Sequence, residues 1–141
     1  MEQKIKHIIG RREFVSLPAF DLGKIEAKTD TGAYTSSIHC DKITVEGNRV
    51  KCIFLDESHP CYTGKEYSFE ILKKVVVKSS NGQEENRVMI DSEIIILGLH
   101  YKIKLTLTDR SSMKYPVLIG RKFLKDKFLV DVTQIHQNEL K

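Results

Sequence analysis

The chain has only three cysteines, Cys40, Cys52 and Cys61, in 141 residues. An odd count this small argues against a disulfide framework, and the expectation is reduced thiols, at least partly buried. No apolar run approaches the roughly 20 residues that a bilayer-spanning helix needs. The opening MEQKIKHIIGRREF has Lys and His within its short apolar stretch, and lacks the long apolar region and small-residue cleavage site of a secretory signal. These absences predict a cytoplasmic protein with no membrane partner. There is no Gly-x-x-x-x-Gly-Lys-Ser/Thr loop to cradle a triphosphate and no His-Glu-x-x-His pair of zinc ligands. Charge of one sign is also scarce. A net +4 with pI near 8.9 is mildly basic and falls short of a nucleic-acid footprint, so no nucleic-acid partner is expected. The basic runs GRR at 10–12 and GRKFLKDK at 120–127 are short and read as solvated surface.

What is present fits one globular domain: 40% hydrophobic and 30% charged residues over a length that can bury a single core. We assign residues 1–141 to one domain, with a core over about 5–133 and a polar tail, TQIHQNELK, whose last eight residues are 134–141. The punctuation is that of an all-β protein. KIEAKTD (24–30) alternates apolar and polar residues. ITVEGNRVKCIFL (43–55) reads as two strands around Glu46-Gly47-Asn48. YSFEILKKVVVK (67–78) is rich in β-branched residues, and RVMIDSEIIIL (87–97) resumes as a strand after the polar SSNGQEEN, with its Asn-Gly turn signal. Gly98 marks the next turn. HYKIKLTLTD (100–109) sets Tyr101, Ile103, Leu105 and Leu107 on one face and Lys102, Lys104, Thr106 and Thr108 on the other. VLI (117–119) is a brief strand leading into the only helical stretch, GRKFLKDK, and FLVDV (128–132) is a last strand. DESHPCYTGKE (56–66) reads as irregular loop. Short strands and frequent turns predict a small barrel or sandwich.

The chemistry centres on AKTDTGAYTSSIH, residues 27–39. Asp30 ends an apolar strand, Gly32 permits close backbone approach or positive φ, and Thr31, Thr35, Ser36 and Ser37 supply hydroxyls. A bare Asp-Thr-Gly is most often a strand-end turn with an Asx-type hydrogen bond. Its surroundings point further. A hydrophobic strand enters Asp30-Thr31-Gly32-Ala33. A hairpin, VVVKSSNGQEENRVMI (75–90), follows about fifty residues on. YPVLIGRKFL (115–124) and FLVDV then complete the order. In these four parts the sequence resembles the retropepsin-like aspartic proteases. In IGRREFVSLP (9–18), AKTDTGAYTSSIH, VKSSNG (77–82), LTLTDRSSMKYPVLIGRKFL (105–124) and FLVDV it is similar to the bacterial family named for ATP-dependent zinc proteases and associated with RimK-type glutamate ligases.

The resemblance implies a closed all-β barrel of six or more strands, of retropepsin (acid protease) type, with a flap hairpin and one short helix. It implies Asp30, Thr31 and Gly32 as the catalytic loop, and Ala33, Tyr34, Ser80, Asn81, Gly82 and Arg121 as substrate contacts. It also implies peptide or protein as substrate and a functional link to a RimK-type ligase. One chain carries one such loop, so the second aspartate has to come from a second copy, and a homodimer is expected. The family name suggests zinc, but HC at 39–40 and HPC at 59–61, with Cys52, lack the usual ligand spacing, so no metal and no cofactor are assigned. The residue after DTGA is commonly Arg in the bacterial family and Asp in viral retropepsins; here it is Tyr34, which leaves Arg121 to find another acid, with Asp109 a candidate. Asp109 and Arg110 read equally as groove residues or as turn cap and surface pair, and Arg11 and Arg12 as a solvated edge or a substrate clamp. Two other readings stay open: a noncatalytic peptide-binding module on the same barrel, and a metal-dependent hydrolase using the Cys/His group.

Overall fold

The computed structural model of the chain describes residues 6–78, 81–109 and 115–136. Among these residues eleven strands run in the order β1 (His7–Gly10), β2 (Arg12–Leu17), β3 (Leu22–Thr29), β4 (Ser36–Glu46), β5 (Arg49–Phe54), β6 (Glu66–Glu70), β7 (Lys73–Lys78), β8 (Glu84–Ile96), β9 (Leu99–Thr108), β10 (Val117–Ile119) and β11 (Phe128–Asp131). A 3-10 turn (Pro18–Phe20) joins β2 to β3, and one short helix, α1 (Arg121–Leu124), follows β10. Strands β10, β3, β2, β8, β9 and β4 lie side by side, and β10 pairs again with β4, which closes a six-stranded barrel. Closure removes the free edges that an open sheet of this size would expose. The barrel expected from the sequence is therefore what the chain forms.

The core is built from the inward positions of these strands. Ile25 and Ala27 of β3, Ile38 of β4, Ile90, Ile94 and Ile96 of β8, Leu105 and Leu107 of β9, and Val117 and Ile119 of β10 are all buried. Branched residues dominate because they pack well on a pleated surface. The predicted turns form where the chemistry placed them. Gly47 takes positive φ between β4 and β5, and Leu97 and Gly98 both take positive φ between β8 and β9, as a two-residue hairpin turn needs.

Three differences from the sequence reading have physical causes. The stretch 67–78 is two strands rather than one. Ile71 is buried at the corner, its amide donating to Asn48 O and the next amide, that of Leu72, to Met89 O, so the chain leaves β5 and joins β8 within two residues. Strands β1 and β2 precede the first strand read from the sequence. In β2 the inward positions are Glu13, Val15 and Leu17; the buried Glu13 accepts from Gly10 N at 2.8 Å and masks the apolar alternation. The polar face of β9 is also divided. Lys102 and Lys104 are exposed, whereas Thr106 and Thr108 are fully covered. At the chain's far end, residues 134–136 lie against β2: Gln134 O accepts from Arg11 N, His136 N donates to Arg12 O, and the His136 ring stacks on Phe14 at 4.1 Å. Among the described residues no helix is long and apolar enough to cross a membrane.

Candidate active site

Asp30 follows the last residue of β3, where that strand runs parallel to β10. Its amide donates to Ile119 O at 2.8 Å, and its carbonyl accepts from Ala33 N at 3.1 Å, which forces a tight turn through Thr31 and Gly32. The Gly32 amide donates to Asp30 Oδ1 at 3.0 Å. Gly32 does not use positive φ. A side chain there would sit 3.2 Å from that carboxylate oxygen, so the need is space beside the acid. Asp30 is half-buried, and Thr31 and Gly32 are exposed.

The loop is carried by the β10–α1 junction. Arg121 N donates to Ala33 O at 2.8 Å and Lys122 N to Tyr34 O at 3.0 Å, while Ser36 Oγ accepts from Gly120 N at 2.9 Å. Gly120 is where the two segments touch. A Cβ on it would fall 2.5 Å from Thr35 O and 2.9 Å from Tyr34 O, closer than any side chain tolerates. Arg121 corrects the sequence expectation of an acidic partner such as Asp109. Its Nη1 donates to Thr31 O at 3.0 Å, and its guanidinium lies 5.8 Å from the centre of the Tyr34 ring. An exposed aromatic face replaces the carboxylate that would otherwise hold this arginine. Asp109 instead adds its negative field to that of Cys52 at Cys40, whose thiol is held well above its ordinary range chiefly by burial.

Strands β7 and β8 form the predicted flap hairpin, paired from Lys73–Met89 to Lys78–Glu84. At its tip Gly82 takes φ 85° and Asn81 Oδ1 accepts from Gln83 N at 3.2 Å; Ser80 lies outside the described residues. Between hairpin and loop runs a groove of about 820 Å³. It brings together Asp30, Gly32, Ala33, Tyr34, Asn81 and Arg121, while Thr31 and Gly82 are not among its walls. The walls also include Glu85 and Arg87, which the sequence reading passed over. Arg87 Nη2 donates to Glu85 Oε2 at 3.1 Å, Nη1 reaches Thr106 Oγ1 at 3.5 Å, and Thr108 Oγ1 donates to Glu85 Oε1 at 3.3 Å. This part-buried ladder lies over Thr106 and Thr108, which are covered. The alternation Glu85, Arg87, Met89 on β8 was the signal that could have found it.

Arg110 lies outside the described residues, and Arg11 and Arg12 serve the framework. Arg11 Nη1 donates to Val132 O at 3.0 Å, and Arg12 lies 3.9 Å from Glu26 and reaches Tyr115 Oη at 3.4 Å. The Cys/His group does not assemble into a metal site. His39 Nε2 faces Asp56 Oδ2 at 3.0 Å, and His59 Nδ1 accepts from Cys61 N at 3.0 Å. Cys40 and Cys52 are buried against each other in the core. Burial pushes the His59 imidazole below its usual range, and the hydrogen bonds from Ser58 hold the Asp56 carboxyl below its own. His39 Nδ1 is buried without a hydrogen-bond partner, but no three acidic, His or Cys groups converge on it or elsewhere among the described residues, so the donor set does not fit the zinc that the family name suggests.

The chain is similar to several known proteins. It is 38% identical over 133 residues to a protein of Shewanella pealeana named probable alpha-L-glutamate ligase. It is 33% identical over 137 residues to one of the same name from Parasynechococcus marenigrum. These matches cover 92% and 94% of this chain but 29% of each relative, so the chain spans less than a third of the length of the curated relatives it matches. A crystal structure of a Legionella pneumophila protein of unknown function shares the fold, with a TM-score of 0.75 at 24% identity over 96% of this chain and 100% of that one. The family model described as retropepsin-like aspartic endopeptidase RimB matches residues 8–139. The chain therefore belongs to the RimB-like family of retropepsin-like aspartic endopeptidases.

Proposed function

We propose that the protein is an aspartic endopeptidase whose site is completed by a second copy of the chain. The observation that carries this reading is Asp30: a half-exposed carboxylate, oriented by the Gly32 amide, at the wall of a groove roofed by a hairpin. One carboxylate is half of the chemistry. A two-fold axis beside the loop would set Asp30 against its equivalent, and the exposed Thr31 and Tyr34 (58%) of that loop are surfaces that a second copy would cover. Two carboxylates at contact distance share one proton. The ionised one takes a proton from a water held between them, and the water oxygen attacks the scissile carbonyl. The protonated one donates to the carbonyl oxygen as the tetrahedral intermediate forms. Collapse of that intermediate breaks the C–N bond, with a proton delivered to the leaving nitrogen. The β7–β8 hairpin excludes water as it closes.

The substrate we propose is a peptide segment rich in glutamate, acted on in the cytoplasm alongside a RimK-type glutamate ligase. The support is the naming of the relatives, whose longer chains include a region similar to this one, and the polar character of the groove. The test is cleavage of a mixed peptide set, Glu-rich peptides included, by wild type and Asp30→Asn, with and without chelator. Cleavage that is lost in Asp30→Asn and indifferent to chelator supports the reading. Cleavage that survives in Asp30→Asn overturns it, and peptide binding without cleavage by either protein would favour a binding module.

A further inference from the structure

A second cavity, of about 220 Å³, lies behind the catalytic loop, between the outer face of β8–β9 and helix α1. Its walls carry Lys102 and Lys104 from β9 and Lys122 and Lys127 from around the helix, against a single carboxylate, Asp91. In the β8–β9 ladder Asp91 stands opposite Lys104 and Glu93, just outside the lining, stands opposite Lys102, so acids face two of the four lysines and a surplus of two positive charges remains. Lys127 Nζ is held in place, donating to Phe123 O at 3.0 Å and lying 5.0 Å over the Phe123 ring. Beneath the charges the lining is apolar, with Met89 and Phe123 both buried. Thr35, five residues after Asp30, lines both this cavity and the groove, so the two adjoin at that residue.

We propose that this pocket is an extended subsite that takes the carboxylates of an acidic peptide segment beyond the bond being cut. It rests on the peptidase reading above and names the part of the molecule that selects glutamate. The groove itself does not select for negative charge, because Lys78, Arg87 and Arg121 in its walls are matched by Asp30, Glu84 and Glu85. The pocket has the surplus. Lys102 and Lys104 stand two residues apart on one face of a strand, about 6.8 Å. Alternate glutamates of an extended peptide repeat at the same spacing. Ammonium groups meet carboxylates as point charges without demanding a planar fork, which suits a chain that slides by whole residues. The apolar floor accommodates the methylenes of one or two glutamate side chains.

The experiment uses fluorescein-labelled hexaglutamate as probe and anisotropy as readout, with full-length protein carrying Asp30→Asn so that nothing is cut. The triple variant Lys102→Gln, Lys104→Gln, Lys122→Gln should bind the probe on the order of tenfold more weakly, and the corresponding triple Arg variant should bind it as the parent does. With Asp30 intact, the double variant Lys102→Gln, Lys104→Gln should cleave a peptide without acidic residues at the parental rate. Acetylation footprinting of the unmutated lysines gives a readout independent of how the variants fold: bound hexaglutamate should shield Lys102, Lys104 and Lys122. Unchanged affinity in the Gln triple, shielding of other lysines, no binding by the parent, or equal binding of single-stranded RNA of matched charge would each overturn the subsite. If the parent cleaves no peptide yet binds hexaglutamate through these lysines, the peptidase reading fails and the pocket stands.

Discussion

Two hairpins of this protein, β4–β5 and β7–β8, are made of similar sequence and serve opposite ends. Both β4–β5 and β7–β8 are rich in Val, Ile and Lys. The first is fastened on both sides. Strand β6 pairs beyond β5, and Phe54 stacks on Phe20 at 4.0 Å, with Tyr67 and Phe69 closing the cluster. The second is fastened on one side. Strand β7 pairs only with β8 among the described strands, and Val76 stands 60% exposed over the groove. What separates a staple from a cover here is the neighbour, not the propensity of the strand.

The strongest way to break this contrast is to hollow out the staple. Phe54→Ala should destabilise the fold by about 3–5 kcal/mol, read by denaturant unfolding. Val76→Ser in the cover should change stability by less than about 0.5 kcal/mol while lowering peptide cleavage. Equal losses of stability would erase the distinction. Next in size is the floor on which the cover closes. Gly120→Ala should cost about 1–3 kcal/mol and should reduce cleavage further by displacing the Tyr34–Thr35 backbone, so a fully active, equally stable variant would contradict the packing described. Smaller is the response to alkali. Burial, and then the hydrogen bond to Asp21, push the Tyr67 hydroxyl up to about 12. The folded state thus favours the protonated phenol, and this contribution is full below the ordinary value near 10 and is lost as pH rises through about 12. The staple should loosen over that window, and Tyr67→Phe should remove the dependence. Smallest is thiol reactivity. Cys61, partly exposed, should alkylate in the native protein, while Cys40 and Cys52 react only on unfolding, as peptide mapping would show.

Much of this architecture was legible because local chemistry and global fold agree. Gly47-Asn48, Gly98 and Asn81-Gly82 each sit at the turns they predict, and the run from VLI into GRKFL forms the strand and helix that carry the Asp30–Ala33 loop. What was not legible depended on neighbours distant in sequence. The buried Glu13 hid the inward face of β2, because an acid satisfied by the Gly10 amide looks like a surface residue in a sequence pattern. The break at Ile71 is set by Asn48 and Met89, which no window around 67–78 contains. Within the site, Asp30 was legible from its motif. The Arg121–Tyr34 contact and the Glu85–Arg87 pair were not, since both join segments that meet only when the barrel closes.

The central claim, that Asp30 is half of a site shared between two copies, is tested most directly by mixing. Wild type and Asp30→Asn are unfolded together in equal amounts, refolded so that subunits exchange, and assayed on a cleaved peptide. If the dyad spans two chains, mixed pairs are inactive and only about a quarter of the pairs remain active, so activity follows the square of the wild-type fraction. Activity that falls in simple proportion to the wild-type fraction would show that each chain works alone and would contradict the shared site.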